Sequence, residues 1–224
     1  MAKKKATSKV EEKPSAEMLV ASYMDFVLEN ERTPKSVYKF SKEQGITEQQ
    51  FYDNFGSFDG LRKDIWRRFF DNSLAVINKS KEYHSFSNRD KMLTFFYTFF
   101  EVLTANRSYV LFTLKENNDA PLKNLEQLKV LRKKVKAFAK ELIKEGNQDK
   151  QIKALQQSEM IFSEAVWIQF LFLLKFWMDD NSAKFESTDV AIEKSVNTAF
   201  DVFDNTPLER VVDFGKFLWK EKMA

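Results

Sequence analysis

His84 is the only histidine in the chain and cysteine is absent, which excludes disulfides, thiolate metal sites, cysteine nucleophiles and any two-imidazole metal site. No glycine-flanked nucleophile-elbow serine accompanies His84. Neither GxGxxG nor GxxxxGK occurs, so no glycine-rich loop is available to cradle a phosphate. The acidic pair Asp179 and Asp180 lacks ligand neighbours in the sequence and reads as the polar end of a helix. The residues therefore offer no catalytic constellation, no metal site and no cofactor site. What they offer is recognition chemistry. Lys35, Ser36 and Lys39, with Lys42 beyond, set cationic and hydroxyl groups along one side of a short helix, where they can anchor a phosphate backbone. A few residues on, Thr47 and Tyr52 supply hydroxyls for phosphates, while Gln49, Gln50 and Asn54 supply amides for base edges.

Two short capped helices joined by a glycine turn must position these groups. Over Thr33 to Leu61 the first is predicted from about Pro34 to Gln44, with Thr33 as N-cap and Pro34 at the first helical position. Gly45 ends it in the left-handed conformation, which costs glycine little. Ile46 drops into the core, Thr47 caps the second helix, and Gln50 completes a capping box. Val37, Phe40, Ile46, Phe51 and Phe55 form the apolar cluster between the helices. Glu48, Gln49, Gln50, Tyr52, Asp53 and Asn54 face outward, on the side that enters a DNA groove in a helix-turn-helix.

The spacing Val37, Phe40, Ser41, Gly45, Ile46, Thr47, Phe51, Tyr52, Phe55, Ser57, Leu61 resembles the N-terminal domain of TetR-type, tetracycline-repressor-like regulators. The match covers about a fifth of the chain directly. It implies an all-α fold with an N-terminal helix-turn-helix head and a C-terminal helical bundle, which binds operator DNA as a homodimer and is released by a small molecule. Three positions depart from the family pattern. Glu31 stands where a glycine usually separates the first two helices, and Phe58 where a lysine usually touches a phosphate. The second helix of the motif carries Glu48 and Asp53 without a single Lys or Arg.

With 224 residues, 43% of them hydrophobic, the chain can build a substantial core, and its five glycines and four prolines suit long helices better than a many-turned β protein. The net charge of +3 is too small to argue for nucleic acid by itself. From Pro14 to Phe70, eight Lys or Arg stand against nine Asp or Glu, so the head is close to neutral and duplex binding would lean on a few placed lysines. Residues 1–14 read as a flexible basic tail without an apolar signal segment, which with the missing cysteines suits a cytoplasmic protein. The head spans 15–62 and a ligand-binding and dimerisation body 63–224.

A first helix, capped by Ser15, is predicted to about Asn30. A long helix, capped by Ser57, is predicted to run to Tyr83, and in the resembling family it transmits ligand-induced movement. Further helices open at Asn88, break near Ala105, and resume through Tyr109, Phe112 and Leu114 until Asp119, Ala120 and Pro121. A strongly amphipathic helix then turns Lys129, Arg132, Lys133, Lys134 and Lys136 outward and ends at Gly146. From about Gln151 to Asp180 comes a helix apolar nearly all round. Glu164, Gln169 and Lys175 interrupt it, so burial by protein suits it better than a membrane. Such a helix needs two partners, its own core and a second subunit, which predicts a homodimer through 151–180 and 188–204. A final helix, capped by Thr206, closes the chain.

Twenty-three phenylalanines, concentrated between Phe95 and Phe176, are the signal for an apolar ligand. The candidate lining is Phe96, Phe99, Phe100, Phe112, Phe138, Trp167 and Phe170. Two functions fit: a ligand-responsive repressor, or a lipid- or isoprenoid-binding accessory protein that has kept the TetR-like fold and given up DNA.

Overall fold

A computed structural model describes residues 13–115, 125–148 and 158–205. It is all-α, and no strand occurs among the described residues. The predicted basic tail up to residue 12, the Asp119–Pro121 break, residues 151–157 and the Thr206-capped helix lie outside the described residues. The long apolar helix expected from about Gln151 begins instead at Glu159, where the Ser158 Oγ accepts from the Ile161 N–H at 3.4 Å and caps it. The chain forms two compact units, one of residues 1–65 with 108–127, the other of 66–107 with 128–224.

The first unit holds α1 (Ala16–Asn30), α2 (Val37–Glu43), α3 (Glu48–Tyr52), the first turns of α4 (Phe58–Ile77) and most of α6 (Arg107–Lys115). Ser15 caps α1 as expected, accepting from the Met18 N–H at 3.2 Å. Glu31 ends α1 at φ 49°, the left-handed conformation, so the position where the resemblance expects glycine has the glycine geometry without the glycine.

The N-cap of α2 corrects the sequence expectation. It is Ser36, not Thr33, and its Oγ accepts from the Lys39 N–H at 3.3 Å. Pro34 is buried ahead of the helix rather than placed in its first turn. Holding that ring in the core keeps residues 33–35 out of helical geometry, so Lys35 precedes α2 while Lys39 and Lys42 lie on it. The end of α2 is a Schellman turn: Ile46 N–H donates to the Ser41 carbonyl at 2.9 Å and Gly45 N–H to that of Lys42 at 3.3 Å. Gly45 sits at φ 68°. Thr47 and Gln50 form the full capping box of α3. Ser57 caps α4 through the Gly60 N–H at 3.1 Å, but α4 stops at Ile77, six residues short of Tyr83. Asn78 N–H still bonds four back, to Leu74, but Lys79 and Ser80 tighten the end with i→i+3 bonds to Val76 and Ile77, and a 3₁₀ turn, Glu82–Ser85, follows.

The second unit holds the rest of α4, α5 (Asn88–Ala105), α7 (Lys129–Gln148), α8 (Glu159–Asp179) and α9 (Glu186–Asn205). α8 packs along both α7 and α9, and α5 along α9. Gly146 does not stop α7, which continues to Gln148. A Cβ at Gly146 would come within 2.7 Å of the Asn88 Nδ2, which donates to the Leu142 carbonyl at 2.7 Å. Close approach, not termination, is the work of this glycine.

α8 is long and apolar enough to cross a membrane by length and composition. In the fold it buries Phe162, Val166, Trp167, Phe170, Leu173, Leu174 and Trp177.

Candidate nucleic-acid interface and aromatic body

In the head, a nest of rings fixes the angle between α2 and α3. Phe40 and Phe51 stand edge to face at 6.1 Å, and Phe58 inserts between Tyr23, Phe40 and Phe51 at 5.5, 5.6 and 5.3 Å between centroids. Phe58 therefore turns inward and becomes part of the wedge under the two helices. A lysine there would reach outward for a phosphate; the phenylalanine exchanges that reach for packing.

The candidate contact residues lie on the outside. Lys35, Ser36, Lys39, Thr47, Gln49, Tyr52 and Asn54 are exposed and Gln50 is half-buried. Lys35 and Lys39 form no ion pair among the described residues, which leaves both ammonium groups to solvent or a ligand. The amides are already engaged. Gln50 Oε1 accepts from the Thr47 N–H at 2.8 Å, and Gln49 Nε2 donates to Asp53 at 2.8 Å. Asn54 Nδ2 donates to the carbonyls of Gln50 at 3.0 Å and Pro14 at 3.2 Å. To bond a base edge, each must share or exchange an internal hydrogen bond.

In the second unit, six of the seven aromatic candidates come together, and Phe112 belongs to the first unit. Phe170 is the hub: Trp167 stacks on it at 5.2 Å, and Phe99 and Phe100 contact it at 5.6 and 6.1 Å. Phe138 meets Phe95 at 4.6 Å, and Phe95 in turn meets Phe96. Phe96, Phe99, Phe100, Trp167 and Phe170 are all buried, their rings packed on one another as a layer.

An open concavity of about 620 Å³ lies elsewhere, between α8 and α9, lined by Ile168, Phe172, Ala191, Ser195, Phe200 and their neighbours. Ile168 and Phe172, one helical turn apart, are 66% and 55% exposed. Sequence reasoning found this helix but not these residues. The signal was available: on a helix apolar all round, the stripe opposite the buried Phe162, Val166, Phe170 and Leu173 is Ile168 and Phe172.

The α8–α9 connection is pinned by charge. Asp180 accepts from the backbone and hydroxyl of both Ser182 (2.8 and 2.7 Å) and Thr188 (2.9 and 2.6 Å). Burial opposes its ionisation, but these four bonds outweigh burial and bring its pKa down to about 2. Arg107 caps the end of α8, donating to the carbonyls of Trp177, Met178 and Asp180 at 2.8 to 3.3 Å, with its guanidinium 4.4 Å from the ring centres of both Trp177 and Phe185. Among the described residues no cluster of His, Asp and Glu is arranged to hold a metal.

An all-α chain with a capped helix–turn–helix head and a helical body has the architecture of a TetR-like protein. The family described as "Tetracyclin repressor-like, C-terminal domain" matches residues 91–218, more than half of the chain, and the protein belongs to that family. A comparison with curated proteins finds no match.

Proposed function

We propose that this protein is a ligand-responsive transcription regulator, a repressor that binds operator DNA as a cytoplasmic homodimer and is released by an apolar small molecule. The observation that carries the reading is a Schellman-terminated α2 followed by a boxed α3 on the same chain as a tetracycline-repressor-like body. In this reading Lys35, Ser36 and Lys39 anchor the phosphate backbone, and Thr47 and Tyr52 add phosphate contacts. Gln49, Gln50 and Asn54 meet base edges. The exposed Ile168 and Phe172, beside a groove floored by Ala191 and Ser195, support pairing of α8 and α9 with a second copy. An effector would enter the layer of Phe96, Phe99, Phe100, Phe138, Trp167 and Phe170 by displacing rings. α4, which begins in one unit and ends in the other, would carry the change to the head.

A fluorescence titration with random-sequence duplex at low and moderate salt tests this. Binding that weakens steeply with salt supports it, and no binding at low salt overturns it.

A second reading, a TetR-fold lipid- or isoprenoid-binding accessory protein without DNA, is favoured by the inward Phe58 and by the exposed acids Glu48, which opens α3, and Asp53, which ends it. Lipid extracted from the purified protein and seen by mass spectrometry, together with no duplex binding, would establish it.

A further inference from the structure

α7 separates its side chains sharply. Leu131, Val135, Ala139, Leu142 and Ile143 are buried, while the opposite face carries Lys129, Lys133, Lys136 and Lys140 at intervals of four, three and four, with Arg132 beside them. Such a stripe is about 16 Å long. These five cations and Ala137 enclose a shallow basin of about 400 Å³.

Among the described residues one carboxylate answers them. Glu164 of α8 pairs with Arg132 at 3.0 Å and with Lys136. Hydrogen bonds from Lys136 and Arg132 hold the Glu164 carboxyl below the usual carboxylate range. Lys129, Lys133 and Lys140 make no ion pair among the described residues. Like charges at i,i+4 cost a helix a few tenths of a kcal/mol per pair, so the array holds repulsion that an anion would relieve.

We propose that this basin binds a compact multivalent phosphate, the di- or triphosphate group of a small molecule. Concavity and convergent cations favour that ligand over an extended surface. A lipid bilayer is disfavoured because the apolar face of α7 is buried in the protein and cannot insert. Glu164 holds the place of part of the anion when the basin is empty, and a ligand phosphate takes Arg132 and Lys136 from it. The inference is independent of DNA binding, since its readout is phosphate bound by body residues.

Isothermal titration of the full chain with inorganic pyrophosphate and tripolyphosphate tests it, with helicity checked by circular dichroism. The wild type binds both, more weakly as salt rises. Lys133→Glu and Lys140→Glu each weaken binding about tenfold, and Glu164→Gln tightens it several-fold by freeing two cations. Lys79→Glu, a reversal at an exposed lysine outside the basin, leaves it unchanged. The proposal falls if Lys79→Glu weakens binding as much as Lys133→Glu, or if Glu164→Gln has no effect. It also falls if anionic vesicles or random duplex bind through Lys133 and Lys140 while pyrophosphate does not.

Discussion

Phe58 rests on Phe51 at 5.3 Å between centroids with the rings 68° apart, and this contact joins the start of α4 to the middle of α3. It places an aromatic wedge at the position where a TetR-like head would offer a cation. Two properties that usually travel together, a correctly angled α3 and a phosphate anchor beside it, are here in competition for one side chain.

Phe58→Lys measures that competition. Removing a half-buried ring that touches Tyr23, Phe40 and Phe51 should cost about 1–3 kcal/mol in urea unfolding. If the head binds duplex, the same variant should bind more tightly and steepen the salt slope by about one. Phe58→Leu, which keeps an apolar wedge, should lose less stability and gain no affinity. Equal salt slopes for both variants would place this position away from the phosphates.

Lys35 and Lys39 make the complementary case. Each is exposed and outside any ion pair among the described residues, so alanine at either should leave stability within about 0.5 kcal/mol. Each should flatten the salt dependence of duplex binding by about one. The effect should be uniform across sequences, because phosphate contacts carry no base information. A variant that loses affinity for one sequence only would show that its lysine reads bases.

Backbone strain divides Glu31 from Gly45. Both hold positive φ, 49° and 68°, but only the glycine is free of the steric cost, which runs to about 1–2 kcal/mol. Glu31→Gly should therefore stabilise the protein by up to about 1 kcal/mol, less the entropy that glycine adds to the unfolded chain. Gly45→Ala should destabilise by about 1 kcal/mol, and since a Cβ there would meet nothing within 4 Å, the whole effect would be conformational. Thermal melts of the two variants should move in opposite directions.

Asp180 gives the fold an acid limit. Its folded pKa of about 2 lies below the ordinary 3.8, so its contribution is fully present above the unfolded value and is lost as pH falls from about 4 through 2. Asp180→Asn should destabilise by about 1–3 kcal/mol at neutral pH, because a carboxamide cannot accept all four bonds from Ser182 and Thr188. It should also flatten the acid branch of a stability-against-pH curve. An unchanged acid branch would assign that branch to other carboxylates.

The features legible in the sequence were the local ones. Ser15, Gly45, Thr47, Gln50 and Ser57 each act through partners within a few residues, and each occupies the role its spacing predicts. The misplacements came from long-range packing. Pro34 looks like a helix start by local rules, yet it is buried and Ser36 takes the cap. Gly146 looks like a helix stop, yet Asn88, 54 positions away in the chain from its acceptor Leu142, determines its use. The aromatic content announced a dense interior, but composition does not distinguish rings that line a space from rings that fill one. Phe170 has neighbours on several sides, and the open groove lies on the other stripe of the same helix.

That stripe carries the prediction for assembly. Ile168 and Phe172 project from α8 beside small residues of α9, Ala191, Ser195 and Ala199, so large groups of one copy have low ground to occupy on another. α8 and α9 are each about 30 Å long, and pairing them about a two-fold axis would bury a surface of the size specific interfaces need. Sedimentation velocity at micromolar concentration should show a dimer for the wild type and a monomer for Phe172→Glu and Ile168→Asp. Both side chains are exposed within one chain, so both variants should keep wild-type helicity. Duplex affinity should fall with dimerisation, since two heads held together bind with the advantage of effective concentration and one alone does not. A wild type that sediments as a monomer, or a Phe172→Glu dimer, would move the interface away from this stripe.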